Sequence, residues 1–164
     1  MRKVNETQKA MGVFATVFDN SHSDEVGNIL INDHKRPGRH YGGGFYDYPE
    51  GGEKTIWPGL YDLFYKAEVQ VPVADIKERM LFRQVIEAAK CLDEGVLRSV
   101  ADGNVGSILG IGAPVWTGGF LQFINGYGLQ RFIARTRELA EIYGERFAPP
   151  AILLSKAEAG ETLH

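Results

Sequence analysis

The segment from Val73 to Glu94 carries the most regular hydrophobic pattern in the chain. Its apolar side chains recur every 3.6 residues over about five turns, at Val73, Ile76, Met80, Leu81, Val85, Ala88, Ala89 and Leu92. The remaining positions are charged, at Lys77, Glu78, Arg83, Glu87 and Lys90, and Gly95 follows as a stop signal. A stripe of this length predicts one long helix buried along one face, which other helices must cover.

Six further segments show helical spacing or end signals, at 5–18, 23–32, 99–109, 117–126, 128–144 and 150–160. Ser99 with Asp102 forms a capping-box pattern, and Thr117 is the expected cap of the helix that follows it. Gly144 and Gly160 are expected stops. The sequence therefore predicts a mostly α-helical domain of about seven helices.

A β-hairpin is predicted between residues 45–48 (FYDY) and 54–57 (KTIW), which the turn-prone PEGGE joins. Three glycines at 42–44 precede it, and they suit either a phosphate cradle or a tight loop. They lack the spacing of a dinucleotide fingerprint or a P-loop, and they lead into a strand rather than a helix. The tight loop is favoured, although Lys35, Arg36 and Arg39 could hold an anionic group beside it. The alternative is a solvated basic turn.

Composition limits the possible partners. The 164 residues carry a net charge of −3, so there is no global basic field for nucleic acid. No apolar run is long enough to span a bilayer, and the N-terminal residues lack the apolar stretch of a signal peptide, so a cytoplasmic protein is expected. The single cysteine, Cys91, cannot form a disulfide within the chain, and the histidines lack ligand spacing for a metal site.

The loop at residues 110–119, GIGAPVWTGG, contains no nucleophile elbow and no acid–base pair. Pro114 and Trp116 predict a packed corner between two helices, and a ligand-facing wall is the alternative. No catalytic residue is assigned anywhere in the chain.

Two stretches resemble the C-terminal helical domain of the L-3-hydroxyacyl-CoA dehydrogenases. They are PGRHYGGGFYDYPEGGEKTIWPGL (37–60) and the block from IKERMLFRQVIEAAKCLDEGVL to GSILGIGAPVWTGGFLQFINGYG (76–128). The similarity is greatest to the multifunctional fatty-acid β-oxidation enzymes, and it covers nearly the whole sequence. It implies the end of one helical repeat over residues 1–72 and a complete second repeat over 73–164. It also implies that residues 37–60 form a ribbon joining the two repeats.

The resemblance implies that the parent enzyme oxidises an L-3-hydroxyacyl-CoA with NAD, using a His–Glu pair in a dinucleotide-binding domain. This sequence contains neither that domain nor the pair, and the family's assisting Asn is expected upstream of Met1. His40 and Gly43 also stand where the family usually has lysines, which weakens a phosphate-binding role for that loop. No cofactor is therefore assigned to this chain, and NAD is assigned to the parent.

The leading hypothesis is a C-terminal fragment that is inactive alone, with the parent's dinucleotide-binding domain, an acyl-CoA and a second copy as partners. Arg36, Arg39, Pro114 and Trp116 are its candidate substrate-binding residues. Residues 112–124 are expected to be part of an exposed apolar surface in a homodimer. The alternative is a stand-alone, non-catalytic module that binds an acyl-CoA or another protein.

Overall fold

A computed structural model describes residues 21–164 of the chain. The helix predicted for residues 5–18 lies outside the described residues. The chain divides into two compact units, Met1–Val69 and Gln70–His164, which are described in turn.

The first unit combines short helices with a small ribbon. Its elements are α1 (Ser21–Asn28), which continues as a π-helical turn (Ile29–Asp33), a 3₁₀ turn (Arg39–Tyr41), β1 (Tyr46–Asp47), β2 (Thr55–Ile56) and α2 (Gly59–Phe64). The strands pair antiparallel, with Tyr46 opposite Ile56, so the hairpin is confirmed, although it is shorter than predicted. The sequence did not predict α2, because Pro58 was interpreted as the end of the ribbon. The Pro58 φ of −57° is equally suited to the start of a helix.

The second unit is a five-helix assembly. Its helices are α3 (Val73–Asp93), α4 (Val100–Ile111), α5 (Phe120–Tyr127), α6 (Leu129–Tyr143) and α7 (Ala151–Ala159), with 3₁₀ turns at Val115–Thr117 and Glu145–Phe147. Residues 21–164 thus hold seven α-helices and one two-stranded ribbon, and the mostly helical fold is confirmed. No helix among these residues is long and apolar enough to cross a membrane.

The long helix α3 lies at the centre of the second unit and packs against each of its other four helices. Its buried face consists of Phe82, Val85, Ile86 and Ala89. The predicted stripe is therefore wrong at its N-terminal end, where Val73, Ile76 and Met80 are exposed. There the inward face of α3 carries Asp75 and Glu78 instead, which bind an arginine of α6.

Aromatic side chains fill the middle of this core. The Phe82 ring lies 4.6 Å from that of Phe132, 5.3 Å from Tyr127 and 5.9 Å from Phe123, measured between centroids. These rings come from α3, α5 and α6, so one cluster joins three helices. The Phe82 pairs with Tyr127 and Phe123 are edge-to-face, an arrangement that adds stability beyond the buried area.

Several predicted helix ends are confirmed. Ser99 Oγ accepts a hydrogen bond from the Asp102 backbone N–H at 3.0 Å, and Gly160 ends α7 with a φ of 70°. The prediction for Thr117 is wrong, because α5 begins after Gly119 and extends to Tyr127. The Thr117 hydroxyl instead accepts from the Gly119 N–H at 3.1 Å and donates to the Pro114 carbonyl.

Candidate functional site

Arg36 binds both the glycine loop at 42–44 and the ribbon of the first unit. Its guanidinium donates to the carbonyl of Gly44 at 2.8 Å and to that of Tyr46 at 3.1 Å, and it pairs with the Asp47 carboxylate. It also lies over the Trp57 ring, 4.3 Å from the ring centroid. These contacts hold the glycine loop against the ribbon and occupy donors that an incoming anion would need.

The triple glycine forms a tight entry into β1. The Gly38 N–H donates to the Gly43 carbonyl at 2.8 Å, and Gly42 has a φ of 91°, a conformation that favours glycine. A Cβ on Gly43 would come within 2.6 Å of the Arg36 guanidinium, so a larger residue there would require Arg36 to move. The absence of a side chain at Gly43 therefore allows the Arg36 guanidinium to pack against the loop.

Arg39 differs from Arg36 because it is exposed at the same turn. Its guanidinium carbon lies 5.4 Å from the centroid of the Tyr48 ring. Arg39 does not line the nearby pocket of about 550 Å³, whose walls include Arg36 and Tyr48 and are mainly apolar: Leu30, Ile31, Phe45, Tyr46, Ile56 and Leu60. This pocket lies entirely within the first unit.

Pro114 and Trp116 project from the loop between α4 and α5. Both are exposed, Trp116 to 73%, and the predicted packed corner is therefore wrong. The indole meets the Phe123 ring edge-on at 6.0 Å and is otherwise open. Of the apolar surface predicted over 112–124, only residues 114–116 are exposed together. Phe120, Leu121 and Ile124 belong to the core.

Two side chains of α4 fix the position of this loop. Ser107 Oγ accepts from the Phe120 N–H at 3.1 Å, and Asn104 Oδ1 accepts from the Gln122 N–H at 2.8 Å. They satisfy backbone donors in the first turn of α5, which a local cap would otherwise bind. Sequence reasoning missed these caps because both acceptors come from the preceding helix.

A charged cluster lies where the N-terminal part of α3 meets α6. The Arg135 guanidinium binds three carboxylates, with Nε 2.7 Å from Glu78 Oε2 and NH1 2.8 Å from Glu138 Oε2, while NH2 binds Asp75. The Tyr143 hydroxyl donates to Asp75 Oδ2 at 2.7 Å, and the Tyr127 hydroxyl donates to Glu78 at 3.1 Å. All three carboxylates thus have partners.

These contacts set the protonation states of the cluster. The hydrogen bond from Tyr143 lowers the pKa of Asp75 below its ordinary value, partial burial opposes this, and Arg135 lowers it further. The same bond raises the pKa of Tyr143, while burial and then Glu78 raise the pKa of Tyr127. Bonds to Glu138 and Glu78 raise the pKa of Arg135. The pKa shifts of Asp75, Tyr127, Tyr143 and Arg135 each stabilise the charge state that the group already has at neutral pH, so the cluster suits packing rather than proton transfer.

Arg79 flanks this cluster, with its guanidinium carbon 4.1 Å from the centroid of the Tyr143 ring. Its Nε is buried and has no hydrogen-bond partner among the described residues. The sequence pattern placed Glu78 outside the apolar stripe of α3, and it gave no role to Asp75, Arg135 or Tyr143 in a charged cluster. The only signal was the i, i+3 spacing of two carboxylates on α3, which is common on solvent-exposed helices.

The described residues do not provide a site for a dinucleotide or a metal ion. Their only sheet is the two-stranded antiparallel ribbon, whereas a dinucleotide site needs parallel strands with a glycine-rich turn into a helix. Among residues 21–164 no three His, Cys, Asp or Glu side chains group as potential metal ligands. NAD therefore does not fit the described residues.

Comparison with curated proteins identifies relatives. Fatty acid oxidation complex subunit alpha of Vibrio parahaemolyticus is 38% identical to this chain over 141 residues. The proteins of the same name from Vibrio vulnificus and Vibrio cholerae are 37% and 36% identical over the same length. Each match covers 85% of this chain and 20% of the relative, so the chain spans about a fifth of the length of the curated relatives it matches.

The matched region is the C-terminal domain of those relatives, and the predicted resemblance to β-oxidation enzymes is thereby confirmed. No family model matches the chain.

Proposed function

We propose that the chain is the C-terminal helical region of a cytoplasmic NAD-dependent 3-hydroxyacyl-CoA dehydrogenase of fatty-acid β-oxidation. The observation that carries the proposal is 36–38% identity over 141 residues to about a fifth of proteins named fatty acid oxidation complex subunit alpha. The helical fold, the ribbon and the order of the motifs support the same assignment. In this role the chain walls the acyl pocket, packs on the dinucleotide-binding domain and contributes to dimerisation.

The proposed division of labour leaves the chemistry to the rest of the parent enzyme. That part binds NAD and carries the acid–base pair that oxidises an L-3-hydroxyacyl-CoA to the 3-oxoacyl-CoA. The paired carboxylates around Arg135 support this division, because none is left as a free general base in that cluster. The described residues of this chain therefore serve to shape and support the site.

Three of the four candidate substrate-binding residues are exposed and can contact a ligand. Arg39, Pro114 and Trp116 are open to a ligand or a neighbouring domain. Arg36 instead contributes by holding the ribbon in place, since the Gly44 and Tyr46 carbonyls and Asp47 bind its Nε and NH2 donors. We therefore assign Arg36 a structural role, and we assign Arg39, Pro114 and Trp116 to contact with a ligand or a neighbouring domain.

Activity measurements on the purified 164-residue chain test the proposal. Calorimetric titration with NAD should show no binding, and acetoacetyl-CoA with NADH should give no loss of NADH absorbance. Turnover by the pure chain would contradict the proposed role.

A titration with an acyl-CoA distinguishes the proposed role from the alternative, a stand-alone module that binds an acyl-CoA. Because the proposed acyl pocket needs the rest of the parent to close it, the chain alone should not bind acyl-CoA saturably. Saturable binding at one site per chain would favour the stand-alone acyl-CoA-binding module instead.

A further inference from the structure

Residues 161–164, which follow α7, are tied to the second unit although they have no regular secondary structure. Leu163 is only 2% exposed and belongs to the main hydrophobic cluster. The Glu161 carboxylate pairs with the Lys156 ammonium group at 2.5 Å and so holds the start of the segment to α7. We call residues 161–164 the strap, because the buried leucine fastens them to the core.

The side chain of Asn125, on α5, fastens the strap from the other side. Its Nδ2 donates to the Leu163 carbonyl at 2.8 Å, and its Oδ1 accepts from the Leu163 N–H at 3.1 Å. Nδ2 also lies 3.4 Å from Gln122 Oε1. A carboxamide carries a donor beside an acceptor, so one side chain satisfies both backbone groups of Leu163. A carboxylate in its place would have no donor for the Leu163 carbonyl.

The residue after Asn125 makes this carboxamide chemically labile. Asn125–Gly126 is the only asparagine–glycine pair in the 164 residues, and Gly126 is exposed. Before glycine, the following backbone nitrogen can attack the asparagine side chain, because no Cβ hinders the approach. The bond from the Gly126 nitrogen to Asn125 Cγ forms and the Cγ–Nδ2 bond breaks, while ammonia leaves with the backbone proton. Water then opens the cyclic imide to aspartate or isoaspartate.

Two sets of contacts oppose this reaction in the folded chain. The Gly128 N–H donates to the carbonyls of Ile124 and Asn125 at 3.0 and 3.2 Å, which closes the last turn of α5 around the reacting pair. The bonds to Leu163 hold the carboxamide on the strap. Cγ can therefore meet the Gly126 nitrogen only when the strap is released and the turn opens locally.

We propose that Asn125–Gly126 is a deamidation site that the strap protects, and that deamidation releases the strap irreversibly. Each opening exposes the carboxamide to attack, and reclosing prevents it. After the reaction the side chain at position 125 can no longer donate to the Leu163 carbonyl, so the strap cannot close with the same bonds. Leu163 is then free to leave the hydrophobic cluster.

Peptide mass spectrometry of the purified 164-residue chain measures the reaction, because deamidation changes the mass of the peptide that contains Asn125. The chain is incubated at mildly alkaline pH, and urea unfolding confirms that each variant folds. Leu163→Ala weakens the strap and should raise the deamidation rate by about tenfold or more. Val85→Ala is the matched control, since it removes buried methyl groups from α3 but leaves Asn125 and Leu163 unchanged. Its rate should stay near that of the wild type.

Two further variants test the site and its product. A Cβ at Gly126 would meet nothing within 4 Å, so Gly126→Ala added to Leu163→Ala should fold and should reverse the acceleration. Asn125→Asp reproduces one product, and carboxypeptidase should remove Leu163 faster from this variant than from the wild type. Gln122→Glu is its control, because it adds the same charge to α5 and keeps an acceptor at position 122.

Three results would overturn the proposal. The first is a deamidation rate in Leu163→Ala that equals the wild-type rate. The second is equal acceleration by Val85→Ala, which would mean that the reaction follows unfolding of the whole unit rather than release of the strap. The third is removal of Leu163 from Asn125→Asp at the wild-type rate, which applies even if Leu163→Ala does not fold.

Discussion

Arg135 shows how one side chain can determine the orientation of two helices. Its guanidinium binds Asp75 and Glu78 on α3 and Glu138 on its own helix, and the two α3 contacts make α3 and α6 meet in a single register. Asp75 also accepts a hydrogen bond from Tyr143, as Glu78 does from Tyr127. The cluster therefore links the stability of the second unit to the protonation of Asp75.

Replacing Tyr143 with Phe should flatten the acid dependence of stability. The Asp75 pKa in the folded chain lies below its ordinary value of 3.8, and the Tyr143 bond is the largest cause. The ionised carboxylate therefore contributes stability above that value and loses it as the pH falls through the folded pKa. Without the bond the pKa of Asp75 in the folded chain moves back toward 3.8. Acidification should then lower the free energy of unfolding by a smaller amount.

Urea unfolding at steps from about pH 5 down to about pH 2.5 measures this effect. The free energy of unfolding should fall less steeply for Tyr143→Phe than for the wild type. Tyr61→Phe is the control, because Tyr61 is exposed on α2. Equal acid dependence in Tyr143→Phe and wild type would show that Asp75 does not need this bond.

At the scale of helices, matched valines on α3 test which face is buried. Val85 is 0% exposed and Val73 is 66% exposed. Val85→Ala should lower the free energy of unfolding by about 2–3 kcal/mol, because it removes two methyl groups from a packed core. Val73→Ala should change it by less than about 0.5 kcal/mol. Similar losses from both variants, measured by urea unfolding, would mean that the buried face is misplaced.

The contact between α4 and α5 gives a second prediction at this scale. Asn104→Ala removes the acceptor for the Gln122 N–H and should cost about 1 kcal/mol, as loss of a helix cap does. Asn104→Asp keeps an acceptor and adds a charge that the helix N-terminus favours, so most of the stability should return. Urea midpoints for the two variants decide the question, and equal losses would exclude a capping role.

Local signals predicted most of the helices, and contacts between distant residues account for the errors. The extent of α3, the cap at Ser99 and the stop at Gly160 each depend on neighbouring residues, and all three are confirmed. The inward orientation of Asp75 depends on Arg135, and the start of α5 depends on Asn104, 18 residues before the N–H that it binds. A single sequence contains no periodic signal for such partners.

The wrong predictions at the candidate site have the same cause, because they too depend on contacts that form only in the folded chain. Trp116 was predicted to pack in a corner because aromatic residues beside Pro and Gly often do so. Its exposure depends on where the caps from α4 place the loop. Arg36 was interpreted as a possible anion ligand because its partners Gly44, Tyr46 and Asp47 are identifiable only once the ribbon has formed.

At the scale of the whole molecule, the described residues of the two units differ in how much core they contribute. All residues of the main hydrophobic cluster lie between Phe82 and Leu163. Among the described residues of the first unit, Leu30 is the only buried large apolar side chain, while Tyr41, Phe45, Tyr61 and Tyr65 are exposed. The described part of the first unit therefore exposes several aromatic side chains that proteins normally cover.

The length of the native polypeptide tests the central claim most directly. An antibody raised against this chain should be used on a denaturing immunoblot of cells of the source organism grown on fatty acid. We predict a single band from a much longer protein, since the curated relatives match this chain with only a fifth of their length. A single band at 18.2 kDa, the mass of this chain, would contradict the account and support the stand-alone module.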